Sequence, residues 1–164
     1  MAKDKKTVTN AMRLLNAAKI EYEAIEYSVD EVGENFGETV ARVTGIPCEK
    51  SFKTLVARGD KTGIMVCCVP VTAEVDLKKL AKVSGNKKAE MSHVSELLPL
   101  TGYVRGGVSP IGMKKKYPTY VNETAYAFDK IAVSAGICGA TLILSPQGLQ
   151  KITDCKFCDI AKEE

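Results

Sequence analysis

The sequence predicts a single α+β domain spanning residues 1–164, with about seven short strands among short helices. Three observations carry that prediction. The chain has 164 residues, 45% of them apolar and 26% charged, the composition of one ordinary globular core. Its clearest element is a hairpin, SFKTLVARGDKTGIMVCCVP (51–70), whose two apolar runs flank Gly59-Asp60-Lys61-Thr62-Gly63. Capped helical segments then alternate with strand-like ones, without an internal repeat or a low-complexity linker.

In chain order, TVTNAMRLLNAA (7–18) places Met12, Leu14, Leu15 and Ala18 on one helical face, with Thr9 as N-cap. YEAIEY (22–27) alternates as a strand does, and residues 28–37 read as a loop broken by Gly33 and Gly37. ETVARVTG is a short helix stopped by Gly45 and Pro47. After the hairpin, Asp76 caps DLKKLAKVSG, and another short helix is expected over Ser92–Leu98. Residues 101–118, TGYVRGGVSPIGMKKKYP, hold four glycines and two prolines, too many for a regular element. TYVNE, KIAVSA and ATLILS follow as strands, then a helix capped by Ser145 with Pro146 in its first turn, and a last strand near FCDI. The sheet is expected to be mixed or antiparallel.

Several classes are excluded at this level. The longest apolar run, Ile64–Val71, is eight residues and includes Pro70, far short of the ~20 that span a membrane. The start, MAKDKK, has no apolar signal core, so a cytoplasmic protein without a membrane partner is expected. Six Cys in 164 residues are expected to be reduced thiols rather than a disulfide framework. The 23 basic and 20 acidic residues leave a net charge of +3, which permits a nucleic-acid partner without requiring one. Its clusters are Lys78, Lys79 and Lys82, then Lys87 and Lys88, then Lys114–Lys116; as solvated faces they need no partner, and as phosphate contacts they would make nucleic-acid binding salt-dependent.

The inventory for chemistry is thin. The single His, His93, lies in SHVSELL away from Cys or Asp, which leaves a Ser-His-Asp triad without support. Cys155 and Cys158 form one CxxC pair without the further ligands that structural zinc requires, and no metal or other cofactor is expected. GxxxxGK[ST] is absent, and the glycines of 102–107 do not match the dinucleotide fingerprint. Two features stand out. Lys53 sits mid-strand between Phe52 and Leu55, either as an edge-strand guard or as a functional charge. RGGVSPIG sets Gly106 and Gly107 before a Ser-Pro turn, either as a plain connection or as a place where backbone N–H groups meet an anion or carbonyl.

SFKTL (51–55), GYVRGGVSPIG (102–112) and VSAGICGATLILSPQGL (133–149) together resemble the YbaK-type aminoacyl-tRNA deacylases, free-standing relatives of the prolyl-tRNA synthetase editing domain. The resemblance runs from about residue 10 to residue 160. It implies a mixed, barrel-like sheet surrounded by short helices. It also implies hydrolysis of the ester joining a wrong amino acid to tRNA, with cysteine on proline tRNA as substrate and prolyl-tRNA synthetase as a possible partner. Carried over by position, the essential lysine falls on Lys53. The loop that engages the aminoacyl group runs from Gly106 and Gly107 through Ser109 to Pro110. The substrate-binding aromatic falls on Tyr27, a Phe-Gly pair on Phe36 and Gly37, and a Ser-Gly-Gly turn on Ser134, Ala135 and Gly136. Ala135 departs from that pattern, and its Cβ disfavours a positive φ there. A non-catalytic tRNA- or synthetase-binding module of the same fold is the alternative reading. A redox or metal protein built on Cys155 and Cys158 is a third.

Overall fold

The computed structural model describes residues 8–27, 40–42 and 44–163. The expected loop at 28–37, with Phe36 and Gly37, lies outside the described residues. The first helix, α1 (Asn10–Ala17), starts at Thr9, whose hydroxyl accepts the Met12 N–H at 3.3 Å, and buries Ala11, Met12 and Leu15. Strand β1 (Glu23–Glu26) follows, and residues 40–42 and 44 are helical ahead of Gly45 at φ 77°. The hairpin forms as expected: β2 (Phe52–Gly59) and β3 (Gly63–Pro70) pair along their whole lengths. Helix α2 (Leu77–Ser84) is capped by the Asp76 carboxylate on the N–H groups of Lys78 and Lys79, and ends in Gly85 at φ 80°. The remaining elements are β4 (Ala89–Met91), α3 (Leu97–Thr101), β5 (Thr119–Asn122), β6 (Ile131–Ser134), β7 (Ala140–Leu144), α4 (Pro146–Thr153) and β8 (Lys156–Cys158).

These eight strands form two sheets. One has the order β1-β7-β6 and is antiparallel; the other has the order β4-β2-β3-β5-β8, antiparallel through β4, β2 and β3 and parallel from β3 through β5 to β8. A single parallel bridge, Ser51 to Ala132, joins them. Sheet-to-sheet pairing among the described residues goes no further than that bridge, so the expected mixed sheet is present while no closed barrel forms.

Alternation along the strands sorts the core into two sides. Phe52, Cys68, Val121, Val133 and Leu142 face the main core, with Met12 and Leu15 of α1 and Leu149 of α4. Leu55, Ala57, Cys67, Val69 and Tyr120 face a second cluster beneath Leu77 and Leu80 of α2. Cys67 and Cys68 therefore point to opposite faces, and burial pushes both thiols up, that of Cys68 to about 12. The described cysteines are all free thiols.

One boundary differs from expectation. The helix expected over Ser92–Leu98 is a 3-10 turn at Val94–Glu96 followed by α3. Pro99 falls in the first turn of α3, where its missing N–H has no helical acceptor to lose. The last strand falls near FCDI as expected, at Lys156–Cys158, and ends there because the Asn122 carboxamide oxygen accepts the N–H groups of Ile160 and Ala161.

The far end of the hairpin depends on Asn86. Its side-chain oxygen accepts the N–H groups of Lys61 and Thr62 at 2.8 and 2.9 Å, and its amide donates to Thr62 Oγ1. A Cβ on Gly59 would sit 2.2 Å from that amide, so glycine is required there. Asn86→Ala removes these bonds at about 1 kcal/mol each for the two backbone donors. Urea denaturation should show a loss of about 2 kcal/mol, with Tm lowered by about 4–8 °C for a domain of this size.

Candidate active site

The candidate residues gather where the two sheets meet. β2 is not an edge strand: β3 flanks one side throughout, while the other side is shared between β6 at the start and β4 at Ala57–Gly59. The edge-guard reading of Lys53 therefore falls. Continuing the parallel register from Ser51 and Ala132, Lys53 stands level with Ser134 and on the same face. That face is the one opposite the main core, since Phe52 and Val133 point into the core from the intervening positions. Ser134 pairs with Thr141, and Thr141 pairs with Ile25. Tyr27, two residues beyond Ile25, emerges on the same side and donates its backbone N–H to Gly139 O at 2.8 Å. Burial raises the Tyr27 phenol, an effect the neighbouring Gly139 backbone N–H opposes and the Cys138 thiol reinforces.

The β6–β7 turn is built for its sequence. Ser134 Oγ accepts the Gly136 N–H at 3.1 Å, and Gly136 and Gly139 hold φ values of 103° and 100°. Ala135 does not need a positive φ. It is fully buried in the main core and donates its N–H to Ala140 O at 3.1 Å. The departure from the family's glycine is thus absorbed, because the left-handed position falls on Gly136 instead.

The Gly106–Pro110 loop arrives at this turn as a braced unit. Tyr103 donates its hydroxyl to Ile111 O at 2.6 Å, closing the loop's neck, and its ring lies where a Cβ on Gly136 would meet it at 2.8 Å. Thr101 Oγ1 accepts the Tyr103 N–H, and Ser109 Oγ accepts the Ile111 N–H at 3.2 Å. Ser109 is fully buried, so its hydroxyl shapes the Pro110 turn instead of facing solvent. Gly107 sits so close to the β6–β7 turn that a Cβ would lie 3.0 Å from the backbone of Ile137 and Cys138. Its N–H is already donated to Val104 O at 2.9 Å. Gly106, at φ 89°, is partly exposed, and among the described residues the N–H groups of Gly106, Val108 and Ser109 have no acceptor. The loop and the turn are thus in contact, while no hydrogen bond among the described residues ties Lys53 to the loop.

One residue at this site was not singled out by sequence. Cys138 is exposed, and its thiol donates to Arg105 O at 3.6 Å. Only the packing of turn against loop brings it here. The remaining candidates take structural places. The His93 N–H is bonded to Glu96 Oε1, and that carboxylate pairs with Arg58 at 2.7 Å. Cys155 is buried in the main core, and burial lifts the Cys158 thiol to about 11. Among the described residues no group of three or more His, Cys, Asp or Glu could hold a metal ion, and no helix is long and apolar enough to cross a membrane.

Two outcomes follow. Gly107→Ala should leave Tm within a few degrees but displace the loop from Ile137 and Cys138, lowering turnover by at least about 10-fold, since small misplacements of positioning groups can cost up to ~100-fold. Under native conditions a thiol reagent should label Cys138 first, with Cys67, Cys68 and Cys155 protected until unfolding, as peptide mass mapping would record.

Comparison with known proteins bears on this arrangement. Residues 34–152 match the family described as the aminoacyl-tRNA editing domain. The chain is 46% identical over 165 residues, covering 100% of both sequences, to a candidate Cys-tRNA(Pro)/Cys-tRNA(Cys) deacylase, EbsC, of Enterococcus faecalis. It is 25% identical over 148 residues to the multifunctional Ser/Thr-tRNA deacylase ProXp-y of Escherichia coli, covering 88% of this chain and 86% of that one. A crystal structure of a candidate trans-editing enzyme for prolyl tRNA synthetase superposes with a TM-score of 0.82 at 22% identity, covering 96% of this chain and 100% of that one, and so shares the fold. The family match contains β2, the braced glycine loop and the β6–β7 turn alike, and the chain belongs to the aminoacyl-tRNA editing domain family.

Proposed function

We propose that this chain is a trans-editing hydrolase that deacylates mischarged aminoacyl-tRNA, with Cys-tRNA(Pro) as the preferred substrate. The observation that carries the reading is the convergence of Lys53, Ser134 and Tyr27 on one face beside a glycine loop with unengaged N–H groups. The end-to-end likeness to the Enterococcus protein supports cysteine as the amino acid. An aminoacyl ester is already reactive, so the site need only hold it and stabilise charge. In this reading the Gly106 N–H, and those of Val108 and Ser109 behind it, polarise the carbonyl; a single such donor is worth ~2.7–4 kcal/mol where measured. Gly107 and Ser109 hold the loop in place. Lys53 supplies positive charge for the terminal phosphate or the developing oxyanion. Tyr27, Pro110 and Gly136 bound the aminoacyl group, as do Phe36 and Gly37 by position in the sequence. Prolyl-tRNA synthetase is the partner that would raise the effective concentration of tRNA at this site.

The substrate's own sulfur serves as nucleophile. Its thiol, of pKa ~8.5, loses a proton. The sulfur then attacks the carbonyl carbon and the ester C–O bond breaks. The released ribose oxygen takes up a proton, leaving a cyclic thioester that water opens to free cysteine. Proximity favours such a step by several kcal/mol, up to ~7–11 in well-oriented cases. Packing alone separates substrates this close in size by only ~10–200-fold, a limit that discrimination by reactivity escapes.

Lys53→Ala should retain a cooperative unfolding transition yet lower Cys-tRNA(Pro) deacylation at least ~100-fold; near-parental turnover in that variant would remove Lys53 from the site. Cys138→Ala separates substrate sulfur from protein sulfur. It should keep turnover within a few fold, whereas a trapped thioester on the protein would overturn the substrate-assisted step. Serine ester cleaved as fast as cysteine ester, or free cysteine released without a cyclic thioester, would do the same.

A further inference from the structure

We infer that the solvent face of α2 and the Lys87-Lys88 pair that follows it form the track for the duplex phosphates of the bound tRNA, and that Lys114–Lys116 do not. The inference rests on the reading that the substrate is an aminoacyl-tRNA. It adds where the body of that polyanion lies once its tip is in the site.

The sheet decides between the two lysine clusters. Lys53 alternates with Leu55 and Ala57, and those two residues pack beneath Leu77 and Leu80 of α2. The lysines on the outer face of α2 therefore stand on the same side of the sheet as Lys53, the residue assigned to the terminal phosphate, whereas the glycine loop packs through Val108 and Tyr103 on Val56, on the other side. Lys114–Lys116 belong to the other side. The preceding Gly112 lies against the start of α1, which packs on the main core, and Lys116 pairs with Asp154 at the end of α4, in the same layer.

Within the α2 cluster the structure also separates engaged from available charges. Lys79 is bonded to Asp159 Oδ1 at 3.1 Å and to Ala161 O at 3.0 Å, with Glu163 at 3.9 Å. Lys78, Lys82, Lys87 and Lys88 are exposed, and none forms an ion pair among the described residues. Lys78 and Lys82 lie one helical turn apart on one face. Gly85 turns the chain, and Asp60 then fixes the next pair by accepting the backbone N–H groups of Lys87 and Lys88 at 2.9 and 3.2 Å. That carboxylate is thereby directed to main chain, leaving both ammonium groups for solvent or a ligand. Asn86 locks this corner to the hairpin tip, where Lys61 is also exposed. Along β2 the tip lies about 20 Å from Lys53, six residues at ~3.3 Å each. A single-stranded acceptor end reaching into the site would place the first duplex phosphates at such a distance, over a row of unpaired cations.

The experiment uses the full chain. Binding of an uncharged proline tRNA transcript is followed across salt concentrations for the parent, for Lys78→Gln/Lys82→Gln/Lys87→Gln/Lys88→Gln, and for Lys114→Gln/Lys115→Gln. The α2 variant should lower the log–log salt slope by at least about 2, at roughly 0.7–0.9 per phosphate neutralised, and weaken binding more than 10-fold. The second variant should change the slope by less than 1. On charged substrates the α2 variant should raise KM for full-length Cys-tRNA(Pro) without a matching loss on a cysteinyl trinucleotide ending in CCA. An unchanged slope in the α2 variant, or a larger loss in the Lys114/Lys115 variant, overturns the inference. So does equal damage on the trinucleotide. A parent protein that hydrolyses no charged tRNA would instead defeat the deacylase reading, and the slopes with uncharged tRNA would still decide the track.

Discussion

The outer edge of β2 is divided between two neighbours, and the arrangement of the site depends on that division. Its start runs beside β6 through the Ser51–Ala132 bridge, and its end pairs with β4 at Ala57–Gly59. One strand cannot satisfy both neighbours over its full length, so the sheets diverge and no barrel closes among the described residues. Where they diverge, Lys53 and Ser134 remain level on the face turned away from the main core. Lys53 is half-buried there, a degree of burial that lysine tolerates because its aliphatic stem can be covered while its ammonium group stays hydrated. Fully paired on both sides and covered, the same position would require a neutral or ion-paired residue.

The loop that meets this edge is rigid for reasons that can be traced bond by bond. Tyr103 joins its two ends, Ser109 and Thr101 satisfy local N–H groups, and Gly107 lets two backbones approach where no side chain would fit. Preorganised donors stabilise a developing charge without having to reorient during the reaction. A site of this kind suits a substrate that brings its own reactivity, and it explains how so few titratable residues could suffice. The buried hydroxyl of Ser109 and the main-chain bond of Gly107 mark both as supports for the donors. The partly exposed Gly106 amide is the group placed to meet a ligand.

Charge is distributed with the same asymmetry as the core. Six ion pairs among the described residues tie basic groups to Asp or Glu, while Lys78, Lys82, Lys87 and Lys88 stand outside them, so a net charge of +3 does not describe the local charge along α2 and the Lys87-Lys88 pair. Exposed ion pairs of this kind add little stability. Their larger consequence is to decide which lysines stay available to steer a ligand.

Much of this was legible in the sequence, because it depends on local rules. Thr9, Asp76 and Ser145 announce helix starts through short polar side chains that bond to the first N–H groups. Apolar alternation around Gly59–Gly63 announces the hairpin. Gly106-Gly107 followed by Ser109-Pro110 announces a loop that needs glycine's freedom. A boundary failed where the helix expected over Ser92–Leu98 divides into a 3-10 turn and a new helix with Pro99 in its first turn. The sequence by itself determined the α+β class, most elements, the free thiols and the family's motif residues. Only the tertiary structure decided that β2 is interior rather than an edge, that no barrel closes among the described residues, that Cys138 stands beside the loop, and that α2 shares a face with Lys53. Those are properties of which residues distant in the chain become neighbours, and no local propensity or spacing encodes that.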